Sequence, residues 1–141
     1  MKKYGTIFNI ANFLALAGWL LLVIFHQKSW LDQTLIYGLI GLLALFYIYS
    51  LFVLKNIKGE RYPKGSFSNY QGVVNFFKNP RVVLAGWIHY LAFDLLAGIW
   101  IKNDALAHDI TFWWIVPSLF LTLMFGPLGL LSYLILKLLL V

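Results

Sequence analysis

Cysteine is absent from the chain, and with it go disulfides, thiolate metal sites and cysteine nucleophiles. Charge is scarce as well. Only 11% of the 141 residues are Asp, Glu, Lys or Arg, against about a quarter in an average soluble domain, so the chain cannot cover a water-facing surface. The soluble-enzyme signatures P-loop, GxGxxG, HExxH and GxSxG are missing, as is any zinc ligand set. What fills the chain is apolar: 62% of it is hydrophobic and its mean hydropathy is +0.82. These proportions define an integral membrane protein. Eleven basic and five acidic residues give a net charge of +6. In a soluble protein that would suggest nucleic acid, but here membrane topology accounts for it and no nucleic-acid partner is expected.

Four stretches, 4–25, 33–54, 82–101 and 110–136, lack Lys, Arg, Glu and, Asp94 apart, Asp. Each reaches the roughly 20 residues that span a bilayer. The expected fold is all-α, a single membrane domain over 1–141 with transmembrane helices at about 4–26, 33–54, 81–101 and 111–139. The first helix follows Lys2 and Lys3 as a signal peptide would, but it is expected to remain in the mature protein, because its apolar run exceeds the roughly 7 to 15 residues of a signal core and ends in the bulky Ile24-Phe25-His26. Alternating helices place the N-terminus, the middle connection and the C-terminal end on one side. Lys2, Lys3, Lys55, Lys58, Arg61, Lys64, Lys78, Arg81 and Lys137 would share that side, against Lys28 and Lys102 on the other. By the positive-inside rule both termini are expected in the cytoplasm, or in an equivalent compartment such as stroma. Within the middle connection, Ser68 and Gln71 have capping-box spacing, and Phe67, Tyr70, Val74 and Phe77 recur at helical intervals. A short interfacial helix over about 67–78, resting on membrane lipid, is expected, the alternative being a loop with aromatic anchors at headgroup depth.

The fourth helix contains Pro117 and Pro127. A kink is expected at Pro127, which removes the backbone hydrogen bond to Leu123. Ser118, Thr122, Gly126, Gly129 and Tyr133 form a small and polar stripe suited to a partner helix. In the third helix Asp94 is the only acid within any span. An intramembrane carboxyl costs a few kcal/mol and marks a functional site by default, the alternative being an interhelical hydrogen bond. At about 100° per residue, Trp87 and Tyr90 share the face of Asp94, flanked by Gly86, Ala97 and Gly98, while His89 lies about 140° away. At 1.5 Å per residue His89 sits roughly 10 Å and Asp94 roughly 18 Å along the helix. Two polar clusters are therefore expected: His89 with Asn9 and Asn12 of the first helix, and Asp94 with Tyr90 near Gly126 and Pro127. His26 is about 20 Å from His89 in depth, which argues against a haem or metal site. Asp32, Asp109 and Thr111 fit helix starts.

The run Gly86-Trp87-Ile88-His89-Tyr90-Leu91-Ala92-Phe93-Asp94-Leu95 with Gly98 and Trp100, and the run Phe125-Gly126-Pro127-Leu128-Gly129-Leu130-Leu131-Ser132-Tyr133, resemble the hallmark blocks of the abscisic acid deficient membrane-protein family. The likeness covers about 54 residues, 80–133. Plant members are plastid proteins required to make neoxanthin from violaxanthin, and many bacteria have small relatives. The short start before the first helix shows no transit-peptide pattern, so a bacterial inner-membrane protein is expected.

The resemblance implies chemistry without a redox cofactor. Opening a 5,6-epoxide to an allenic alcohol needs one proton delivered to oxygen and one removed from the adjacent polyene carbon. Asp94, His89 and Tyr90 are the candidate catalytic residues, with Asp94 as acid and His89 or water as base. Trp87, Phe93, Asn9, Asn12, Thr122, Gly126 and Pro127 are the candidate ligand contacts, Trp87, Tyr90, Phe93 and Trp113 lending aromatic faces to a polyene cation. The expected function is binding of a carotenoid or other isoprenoid lipid between helices three and four, with acid/base isomerisation. The rival class is a non-catalytic scaffold, lipid-binding protein or complex subunit. A small carrier fits less well, with one buried acid and no repeat. No metal or cofactor is required, and homo-oligomerisation is left open.

Overall fold

In the computed structural model, which describes residues 2–141, every regular element is a helix. Four are long and apolar enough to cross a membrane: α1 (Lys2–Ile24), α2 (Leu31–Val53), α4 (Pro80–Ala107) and α5 (Phe112–Leu140). The short α3 (Tyr70–Phe76) lies in the middle connection. The all-α fold with four such helices is as expected. α2 passes through two wide π-type stretches, Thr34–Ile40 and Tyr49–Val53, which the apolar pattern does not signal.

Asn69, not Ser68, starts α3: its side chain accepts the Gly72 N–H at 2.7 Å. Gln71 instead bonds Asn75 at 3.3 Å, so no capping box forms and α3 is shorter than the expected 67–78. Asn79 caps α4 in the same way, accepting the Arg81 N–H at 3.0 Å, with Pro80 in the first turn, where a missing N–H costs nothing. α4 is central, touching α1, α2 and α5. One core cluster joins Leu22, Leu31, Leu35, Leu95, Ile115 and Tyr133 toward the Ala107 end. Another joins Ala11, Ala15, Leu43, Ile88 and Ala92 toward the Pro80 end. Gly98 lets α1 come close: a Cβ there would meet Trp19 Cη2 at 2.5 Å.

α5 departs furthest from expectation. Phe125 leaves helical geometry (φ −148°, ψ 73°), and the Ser118 and Ser132 hydroxyls hydrogen-bond each other at 2.8 Å. Fourteen residues of straight helix would hold them about 21 Å apart. A Cβ on Gly129 would run into the backbone nitrogen and hydroxyl of Thr122. α5 is therefore two antiparallel half-helices, 112–124 and 126–140, and the expected kink at Pro127 is a reversal at Phe125. The reason lies in position. Pro127 stands in the first turn of the second half-helix, where proline is tolerated, rather than inside a continuous one.

The second half-helix climbs back along α4. Tyr133 donates to Asp104 Oδ2 at 2.5 Å, Lys137 Nζ pairs with the same oxygen at 2.8 Å, and the Trp100 and Tyr133 rings lie 5.9 Å apart. Lys137 thus sits at the Ala107 end of α4, not with Lys2 and Lys3 as expected. The N-terminal end lies opposite, where the Tyr4 hydroxyl donates to the Lys55 carbonyl at 3.0 Å. At the Ala107 end Lys102, only 6% exposed, pairs with Asp32 at 2.5 Å, and Asn103 donates to Asp32 at 2.7 Å. Asp32 therefore ties α2 to α4 rather than merely starting a helix.

Candidate functional site

Helical spacing puts Trp87, Tyr90 and Asp94 on one face of α4, and the reversal of α5 meets that face. The last carbonyl of the first half-helix, Met124, has lost its helical partner and accepts the Tyr90 hydroxyl at 2.8 Å. One turn further along α4, Asp94 is buried, and any side chain at Gly126 would collide with its Oδ1. Its Oδ2 is buried without a hydrogen-bond partner among the described residues. A buried polar atom left unmatched is costly, and such an atom calls for an explanation by function, water or ligand.

An aromatic row leads from this carboxyl toward the Pro80 end. The Trp87 and Tyr90 rings stack with centroids 5.7 Å apart, and Phe8 of α1 lies 5.8 Å from Trp87. Trp87 Nε1 donates to Asn12 Oδ1 at 3.0 Å, which fixes the indole across the α1–α4 seam. Past Trp87 opens a groove of about 490 Å³ lined by Tyr4, Gly5, Phe8, Lys78, Pro80, Val83, Leu84 and Trp87. It lies between α1 and α4, on the side that the returning half-helix leaves uncovered. Beside Asp94 itself the third and fourth long helices leave no groove, because Gly126 closes directly on the carboxyl.

His89 turns away, as its angle requires, but not toward α1. Its ring stacks on Phe93 at 4.4 Å and lies 5.9 Å from Tyr47 of α2, in a smaller cleft that Phe76 and Phe77 also line. The expected cluster of His89 with Asn9 and Asn12 does not form: Asn12 serves Trp87, and Asn9 is exposed. The reason is that α2, not α1, packs on the His89 side of α4. Thr122 is fully buried and donates to the Ser118 carbonyl at 2.7 Å, so it holds the first half-helix together. Pro127 is exposed at the reversal, and Phe93 is exposed beside His89.

Sequence reasoning missed Asp104 and the Asp32–Lys102 pair. A usable signal existed: Asp32 precedes the second apolar run and Lys102 and Asp104 follow the third, which alternating helices place on one side. No group of three or more His, Cys, Asp or Glu side chains that could hold a metal ion occurs among the described residues.

Apolar helices around a central α4, a helix reversal at depth and a carboxyl buried against it define a helical membrane protein built around one intramembrane acid. The chain matches the ABA DEFICIENT 4-like family over residues 6–133 and belongs to that family. It is 26% identical over 110 residues to Protein ABA DEFICIENT 4, chloroplastic, of Arabidopsis thaliana, an alignment covering 78% of this chain and 49% of that protein. The chain thus spans about half the length of the curated relative it matches. No solved structure matches it.

Proposed function

We propose that the protein binds a carotenoid or other isoprenoid lipid in the groove beside Trp87 and uses Asp94 for an acid/base isomerisation of the epoxide-to-allene type. The observation that carries this reading is the unpartnered Asp94 Oδ2 at the end of the Phe8, Trp87 and Tyr90 aromatic row. With His89 on another side of α4, one carboxyl serves both steps. Protonated Asp94 gives its proton to the epoxide oxygen as the C–O bond breaks. The resulting carboxylate takes the proton from the adjacent carbon, whose C–H electrons form the new double bond. Atoms balance, no electrons leave and the acid is regenerated. The aromatic faces stabilise positive charge developing on the polyene.

The scaffold reading is favoured by one observation of its own, the direct packing of Gly126 on Asp94, which leaves no room for a ligand atom between them. Asp94→Asn separates the two. As the acid, Asp94 cannot be replaced by an amide, so conversion of a 5,6-epoxy carotenoid falls by orders of magnitude in a folded protein. As a packing group it is replaced by Asn with activity or bound pigment intact, while Asp94→Leu lowers thermal stability in detergent. An Asn variant with full conversion removes Asp94 as the acid. Wild-type protein that carries no isoprenoid, by absorption and mass spectrometry, overturns the binding reading.

A further inference from the structure

We infer that α5 enters the membrane and returns to the face it came from, so that the N-terminal and Leu140 ends of the chain lie on opposite faces of the bilayer. Contacts along α4 give the path. Met124 meets Tyr90, Gly126 meets Asp94, Tyr133 meets Trp100 and Lys137 meets Asp104. The second half-helix therefore runs parallel to α4, toward the Ala107 end where α5 began. At 1.5 Å per residue each half is roughly 20 Å long, enough to reach the middle of a hydrocarbon core of about 30 Å and come back.

Non-helical backbone at that depth survives only where protein satisfies or shields it. Tyr90 supplies the Met124 carbonyl with a donor, and Ser118, Thr122, Gly129 and Ser132 seal the seam between the halves. Charge agrees with this path. Moving Lys137 across leaves eight of the eleven basic residues with the N-terminus and three opposite, so the positive-inside bias persists. Two of those three, Lys102 and Lys137, are paired with Asp32 and Asp104.

The test exploits the absence of native cysteine. Ser118→Cys with Ser132→Cys, oxidised in native membranes, forms an intramolecular disulfide if the halves are antiparallel, because bridging needs Cα atoms within about 7 Å. Separately, single cysteines at the exposed positions Lys28, Lys64 and Val141 are labelled with a membrane-impermeant maleimide in vesicles of known sidedness. Val141→Cys labels from the same side as Lys28→Cys and the opposite side from Lys64→Cys. Co-labelling of Val141→Cys with Lys64→Cys overturns the inference, even if the paired variant does not fold. An uncrosslinked but correctly inserted pair overturns it too.

Discussion

A single hydrogen atom decides the contact at the heart of this protein. Gly126 approaches the Asp94 carboxyl more closely than any residue with a Cβ could. Gly126→Ala is expected to cost about 1–3 kcal/mol by overpacking, and Asp94→Ala in the same chain should return most of that loss. A double-mutant cycle of thermal unfolding in detergent measures the coupling, and additive effects would show that the two groups are not in contact. Asp94 was legible in the sequence because one carboxylate in an apolar run has no neighbour to be confused with. Its surroundings were only half legible. Helical angles on α4 correctly grouped Trp87, Tyr90 and Asp94 and excluded His89, but angles on one helix do not say which helix packs opposite. Asn12 is therefore expected beside His89 but accepts from Trp87 instead.

Among the elements, α5 shows how one residue pattern supports two paths. Pro127 after Gly126 marks a kink in a continuous helix and equally the first turn of a new one, and hydropathy does not distinguish them because both halves are apolar. The clue was length: 110–136 is longer than a bilayer needs. α2 is held by a different device. Asp32 is 31% exposed while its partner Lys102 is 6% exposed, so Asp32→Ala strands a buried ammonium and should destabilise by about 3 kcal/mol. Adding Lys102→Met should recover most of that stability, as judged by melting temperature. No recovery would show that Asp32 acts through Asn103 instead.

For the molecule as a whole, the apolar runs specified the membrane class and the number of long helices. They did not specify the end point, because the Tyr133 and Lys137 contacts to Asp104 are side-chain pairings between segments far apart in sequence. If loop charge orients the chain, the basic residues near the N-terminus and in the middle connection set the orientation. Replacing Lys58, Arg61 and Lys64 together by Gln leaves five against three there, and the maleimide assay should then find a mixed population. Unchanged, uniform insertion would mean that features other than loop charge set the orientation.

The reversal at Phe125 also makes the molecule unequal in its two leaflets. Around the N-terminal half of the bundle three helical rods displace lipid, and around the Ala107 half there are five, counting both legs of α5. Such a body is a wedge. It relieves lateral pressure best where the leaflet at its broad end is convex, so it should partition between flat and tubular bilayers by the sign of their curvature, which fluorescence on tubes drawn from vesicles would read.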